Sequence, residues 1–487
     1  MNKQRVKHTR RTFGPLLALS ALVFSTLGVA DVNLPSIGEP VDLVISPAEE
    51  KKLGQAFMAQ ARKELDIVYD AETNYFITSL GNRLLNASNH GSETFHFFTI
   101  NDSRINAFAV PGGYIGINTG TILSAQNESQ LAGVIAHEIA HVTQRHIAHR
   151  IKEANKQNLP LAAAILIAVL GGIQNSTATQ AALSAGIAAS AQNSINFTRK
   201  NEYEADRIGI NLLAQAGYSP NGMAEFFSIL QTQNNRYGRE SIEFLRTHPL
   251  EQNRIAEAQN RAALLSSGNH VINTVDFQLI QARLQWLLSN ERERAFHLQS
   301  INGTGRTTPT LSDSYRAALT AIQSGESKEA KLFIQALKKT YPENLLIRLL
   351  EAEGVARLEN FQQGEILFEA LLKTYPEFSP AIWRYAEVLI DEKSPAKAYQ
   401  YLASYTRSFD QVPAQFFQLQ AKSAGLANNR TASLESLADY HIALNQIEDA
   451  INQLKYALKT TQPGSADYER ITAKLAILKN GQLPSKP

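Results

Sequence analysis

At 487 residues the chain is too long for one hydrophobic core, and 44% hydrophobic with 19% charged residues describes an ordinary globular protein of two or three domains rather than a disordered one. A formal net charge of +2, with a basic block only at the N-terminus, sets nucleic-acid binding aside. Cysteine is absent, which excludes disulfides, thiolate metal ligands, a thiol nucleophile and a lipidated cysteine, so any metal must be held by histidine and carboxylate.

Lys3, Arg5, Lys7, Arg10 and Arg11 precede an apolar stretch from Pro15 to Leu27, and small residues end at Ala30, the pattern of a cleaved signal peptide over residues 1–30. The alternative is an uncleaved anchor, for which the stretch falls short of the ~20 residues a spanning helix needs. A Pro-punctuated segment follows, and a helix starts near Ala48. From Phe95 the pattern changes to short β-type runs, FHFFTI, INAFAV and YIGINTG. The last two flank Pro-Gly-Gly and predict a hairpin or strand pair. In NESQLAGVIAHEIAHVTQRH, Asn127 with Gln130 three residues on has the form of a capping box opening a long helix.

Gln157 to Thr198 carries no charge at all. Its most apolar part, Leu159 to Ile173, is about 22 Å long as a helix, short of a ~30 Å hydrocarbon core. Two readings stay open, a buried helical hairpin or a flap over 157–198 that covers an active site or touches a membrane surface. RKNEYEADRIGINLLAQAG predicts a further helix closed by Gly217, with a new start at Ser219-Pro220, and RTHPLEQNRI reads as a loop. Asn302 to Asp313, NGTGRTTPTLSD, carries the linker signal.

Beyond it, LKKTYPEN and LLKTYPEF place Tyr341-Pro342 and Tyr375-Pro376 thirty-four residues apart, and Phe409 falls thirty-four further on. That is the tetratricopeptide period, in which each helix pair buries its apolar face on the next. The domain reading is a signal peptide over 1–30, a metalloprotease domain over 31–270, a helical connector and linker over 271–312, and a repeat domain over 313–487.

Residues four apart on a helix lie one above the other, so His137 and His141 aim two imidazoles at one point. Glu138, about 100° round the helix, reaches a water on the metal without being a ligand. Zinc lowers the pKa of such a water toward about 7 and polarises a peptide carbonyl, while Glu138 takes the proton. A bare His-Glu-x-x-His match arises by chance in many helices. Here Ala136, Ile139, Ala140 and Val142 describe a helix buried on most sides, where three polar groups are costly unless a metal holds them. The best third ligand is Glu202 in NEYEAD. Asp206 lies four residues on, on the same face, placed to orient a ligand histidine or stabilise the reacting centre. Glu204, His146 and His149 read as packed or solvated residues, with His146 pointing away from the metal face.

NAFAVPGGYIGINTG, HEIAH, NEYEAD and THP, in this order and spread over most of the first domain, resemble the zinc metalloproteases that include the heat-shock membrane protease HtpX and the CAAX prenyl-protein endopeptidases. The resemblance implies a mainly α fold: an α+β zincin-type domain with a small β-sheet, followed by an α-helical tetratricopeptide solenoid. It implies one zinc per subunit on His137, His141 and Glu202, Glu138 as general base and Asp206 as proton donor. Asn106, Ala107, Phe108, Ala109 and Val110 become an edge strand that accepts extended substrate by β-augmentation. His248 of the THP motif becomes either a fourth ligand that keeps the enzyme latent or a stabiliser of the transition state. In membrane members of the family the segment matching 157–198 is membrane-embedded; here its shortness favours a flap.

A signal peptide joined to C-terminal repeats is most similar to the periplasmic members of the family. They imply misfolded or assembling outer-membrane β-barrel proteins as clients, the barrel-assembly machinery docked on the repeats, and contact with a membrane surface. The alternatives are a tetratricopeptide chaperone or scaffold with a latent zinc site, and a membrane-embedded metalloprotease.

Overall fold

The computed structural model describes residues 46–88, 94–147, 199–237, 242–266, 268, 270–303, 309–410 and 412–482. The signal-peptide segment, the apolar segment 157–198 and His149 lie outside them. Helix α1 (Pro47–Glu64) starts on a full capping box between Ser46 and Glu49, with Pro47 in the first turn where its missing amide costs nothing. Helix α2 (Ala71–Asn86) is capped by Asp70.

Strands β1 (His96–Ile100), β2 (Ala107–Val110) and β3 (Tyr114–Asn118) form one sheet in the order β1-β3-β2. The Pro-Gly-Gly turn makes the expected hairpin, in which β2 pairs antiparallel with β3 and Phe108 lies opposite Gly116. Gly112 and Gly113 take φ of 85° and 83°, and a Cβ on Gly113 would sit 2.4 Å from the Thr94 carbonyl oxygen, so only glycine fits there. β1 adds in parallel on the other side of β3, a pairing that alternation alone does not specify.

After α3 (Thr119–Ser124), helix α4 (Glu128–Thr143) runs through the core, with every residue from Glu128 to His141 buried. Asn127 accepts the Gln130 amide as expected, but the Gln130 side chain accepts from Gln126 instead of closing a capping box. α5 (Arg199–Gln215) packs directly on α4, and a Cβ on Gly209 would meet the His137 amide nitrogen at 3.2 Å. α6 (Asn221–Tyr237) packs on α4 as well. The short α7 (Phe244–Thr247) leads through His248 to α8 (Gln252–Leu265).

The connector holds α9 (Val275–Leu288) and α10 (Glu291–Gly303). The repeats follow as five helix pairs among the described residues: α11 (Leu311–Ser324) with α12 (Ser327–Thr340), α13 (Leu345–Leu358) with α14 (Phe361–Thr374), α15 (Ser379–Asp391) with α16 (Pro395–Ser408), α17 (Ala414–Leu426) with α18 (Arg430–Ala443), and α19 (Ile447–Lys459) with α20 (Ala466–Lys479). Tyr341, Tyr375 and Phe409 are the C-caps of α12, α14 and α16, so the thirty-four-residue echo marks one structural position repeated three times. α9 packs against both α2 and α11, and the protease region and repeats share one compact unit. Across that junction Asp70 and Glu72 of the protease region face Arg283 of α9 and Arg384 of α15, with contacts of 2.7 to 3.4 Å.

Candidate metal centre

Four side chains from three elements converge: His137 and His141 from α4, Glu202 from the first turn of α5, and His248 from the turn after α7. They form a cluster able to hold a metal ion, and each is at most 1% exposed. The donor atoms are His137 Nε2, His141 Nε2, Glu202 Oε1 and His248 Nδ1. His137 lies 3.0 Å from His141 and 3.3 Å from His248; Glu202 lies 3.1 Å from His248 and 3.4 Å from His141. Four donors set tetrahedrally at about 2.0–2.1 Å from one ion are about 3.3–3.4 Å apart; these four spacings are close to that, and all the donor atoms lie within 4.8 Å of one another.

The electrostatics favour a cation here. Burial works against protonation of His137, but Asp206 and Glu202 outweigh it and carry its pKa to about 10. The carboxylates that hold a proton on this ring hold a metal ion by the same attraction. Burial pushes the His141 pKa well below its ordinary value, leaving a neutral imidazole suited to ligation. Glu202 stays ionised: burial opposes its charge, yet His248 and Arg254 bring its pKa well below the usual carboxylate range.

Glu138 is fully buried next to the cluster, and its Oε1 lies 3.5 Å from His248 Nε2. Among the described residues neither of its oxygens meets a well-directed hydrogen-bond donor. Burial raises its pKa, against the pull of His248, His137 and the Ala109 amide. That amide belongs to β2. Asn118 N donates to Asn106 O at 3.0 Å, which fixes the alternation of the hairpin and turns the main-chain groups of Ala107 and Ala109 away from β3, toward the side where Glu138 lies. Asn106 is buried at the head of this strand, where Thr121 Oγ1 bridges its amide and carbonyl.

Asp206 sits behind His137, its Oδ1 3.0 Å from Nδ1, as an ion-pair contact rather than a linear hydrogen bond. Both its oxygens are gripped at 2.8 Å by the buried Arg254 of α8. Arg254 carries no signal in the sequence, because one arginine in an amphipathic helix is ordinarily solvated. His146 departs from the helical projection. α4 ends at Thr143 and Arg145 takes a left-handed φ of 54°, so the chain turns back and sets His146 Nδ1 2.9 Å from His141 Nδ1. Glu204 is half-exposed and lies 3.5 Å from the other ring nitrogen of His146.

The family model described as Peptidase family M48 matches residues 71–262, a span containing all six of His137, Glu138, His141, Glu202, Asp206 and His248. The β-barrel assembly-enhancing protease of Escherichia coli strain K12 is 31% identical over 467 residues, 93% of each chain. This chain belongs to the β-barrel assembly-enhancing protease family. Its M48 region makes it a metalloprotease, and the cluster on α4, α5 and the α7–α8 turn could hold a metal ion. A putative β-barrel assembly-enhancing protease of Vibrio cholerae is 35% identical over 329 residues, 64% of this chain and 65% of that one. The mitochondrial metalloendopeptidase OMA1 of Schizosaccharomyces pombe is 26% identical over 187 residues, 38% of this chain and 52% of its own.

Proposed function

We propose that this enzyme is a zinc endopeptidase of the bacterial periplasm, with one zinc per chain on His137, His141 and Glu202, and with His248 as a fourth donor that keeps the site latent. The observation that carries the reading is the convergence of four buried donor atoms at tetrahedral spacing beside a buried glutamate that is not one of them. Imidazole and carboxylate without thiolate suit zinc. Zinc, when bound, acidifies a water and polarises the scissile carbonyl.

The chain's own residues do the rest. Glu138 takes the proton from the attacking water and passes it to the leaving amine, and a pKa raised by burial suits a group that must both accept and release it. Asp206 acts through His137, fixing the ring from its far nitrogen, as carboxylates behind ligand histidines commonly do. A carboxylate already gripped by Arg254 is better placed to orient than to donate a proton. β2 turns the main-chain groups of Ala107 and Ala109 toward the Glu138 side, where they are buried, and an extended substrate adding between Asn106 and Val110 takes the Ala109 amide over from Glu138, with Phe108 packed on the far face.

This geometry suits clients with unpaired strands. A β-barrel that fails to close exposes strand edges, which β2 can extend as an added strand. Misfolded or assembling outer-membrane β-barrel proteins are therefore the proposed substrates, with the repeats docking them or the barrel-assembly machinery. No helix among the described residues is long and apolar enough to cross a membrane. Glu138→Gln should keep its zinc while cleavage of an unfolded barrel protein drops by about 10²–10⁴-fold. Continued proteolysis by that purified variant would remove Glu138 from the mechanism.

A further inference from the structure

We propose that Arg254 is a positioning residue that holds His248 at the metal centre, tying the ligand helix α5 and the turn after His248 together through one guanidinium. The inference rests on the reading of His248 as a fourth donor. Arg254 lies in the first turn of α8 and is 2% exposed. Its Nε and Nη2 grip Asp206, and its Nη1 lies 2.7 Å from both Glu202 Oε2 and the carbonyl oxygen of Pro249. A single NH₂ group thus joins a metal-site carboxylate to the residue that follows His248. Glu202 Oε1 lies 3.1 Å from His248, while Oε2 sits between Arg254 Nη1 at 2.7 Å and His137 Nε2 at 3.6 Å.

A buried guanidinium stripped of partners is costly, so the three contacts hold or fail together. Lysine cannot replace it, since an ammonium on a flexible stem lacks the planar fork that spans two carboxylates and a carbonyl. His248 is also held by its own amide, which donates to Phe244 O at 2.9 Å, and by ring stacking on Phe244 at 4.6 Å. The fourth donor is therefore fixed largely from outside the metal, and opening the site requires the Arg254–Pro249 contact to break.

The test is amide hydrogen exchange on the full chain, read at residues 244–250, with the metal in place and after chelation. The expected result is that chelation alone changes protection of the His248 amide by less than about threefold, while Arg254→Lys lowers it by about tenfold or more. In cobalt-substituted protein, Arg254→Lys should shift the visible absorption spectrum toward that of His248→Ala. Release of the turn on chelation alone, or wild-type exchange and spectrum in Arg254→Lys, overturns the proposal. If Arg254→Lys does not fold, the chelation arm decides alone. Failure of the underlying reading looks different: cobalt uptake is then lost in the wild type, or His248→Ala leaves the cobalt spectrum unchanged, and the proposal goes with it.

Discussion

His137 stands between the carboxylates of Glu202 and Asp206, and this sets how the centre answers to pH. With a pKa near 10 the ring carries a proton at neutral pH that an incoming metal must displace, whereas His141, with a strongly lowered pKa, has none to lose. The sign follows: as pH rises toward 10 there is less proton to displace, so apparent metal affinity should climb about tenfold per unit between about pH 7 and about pH 9. Competition against a chelating dye of known pH dependence measures this slope, and a slope near zero or near two contradicts it. His137, Glu138 and His141 are legible in the sequence because i, i+4 geometry is local and carries over from sequence to structure. Glu202 and Asp206 share a face for the same reason. Arg254 is not legible, since its value depends on α8 packing beside α5, which no local pattern records. His146 is misread because helical projection continues past Thr143, whereas the left-handed Arg145 ends the helix and returns the next histidine to the centre.

The centre depends on how closely α4 and α5 pack. Gly209 permits that approach: an added Cβ meets Met223 Cε at 2.6 Å and the His137 amide nitrogen at 3.2 Å, so Gly209→Ala must push the two ligand helices apart. The expected cost is about 1–3 kcal/mol by denaturant unfolding, together with weaker metal retention. Unchanged values for both would mean that the packing does not set the donor geometry. The hairpin of β2 and β3 is legible because Pro-Gly-Gly between alternating runs is a local signal. The parallel partner β1 is not, since parallel strands are joined by long crossovers whose pairing depends on the completed sheet. The repeats read most clearly of all, because Tyr341, Tyr375 and Phe409 recur at one position of a fixed period and each caps a helix.

Across the whole molecule, peptidase and repeats are joined by buried charge rather than by a loose linker. Arg384 of α15 binds Glu72 through two contacts of 2.8 and 3.0 Å, while Arg283 of the connector binds Asp70 and Glu72 behind it. Arg384→Met removes two charge-assisted contacts but leaves Glu72 and Asp70 paired with Arg283, so it should destabilise the protein by about 1–2 kcal/mol. Calorimetry should then resolve the single unfolding transition of the wild type into two; one transition in the variant would show that apolar packing alone couples the two parts. This junction is invisible in the sequence, where Glu72 and Arg384 lie hundreds of residues apart in different domains. The packing of α2 and α9 places both in the core shared by peptidase and repeats.

The most direct test of the metal centre is X-ray absorption at the zinc edge on the purified full-length protein. The expected result is one zinc per chain, with three imidazole nitrogens and one carboxylate oxygen at about 2.0–2.1 Å, falling to two imidazoles in His248→Ala. A wild type without stoichiometric zinc, or with a donor set unaffected by His248→Ala, would contradict the four-donor centre.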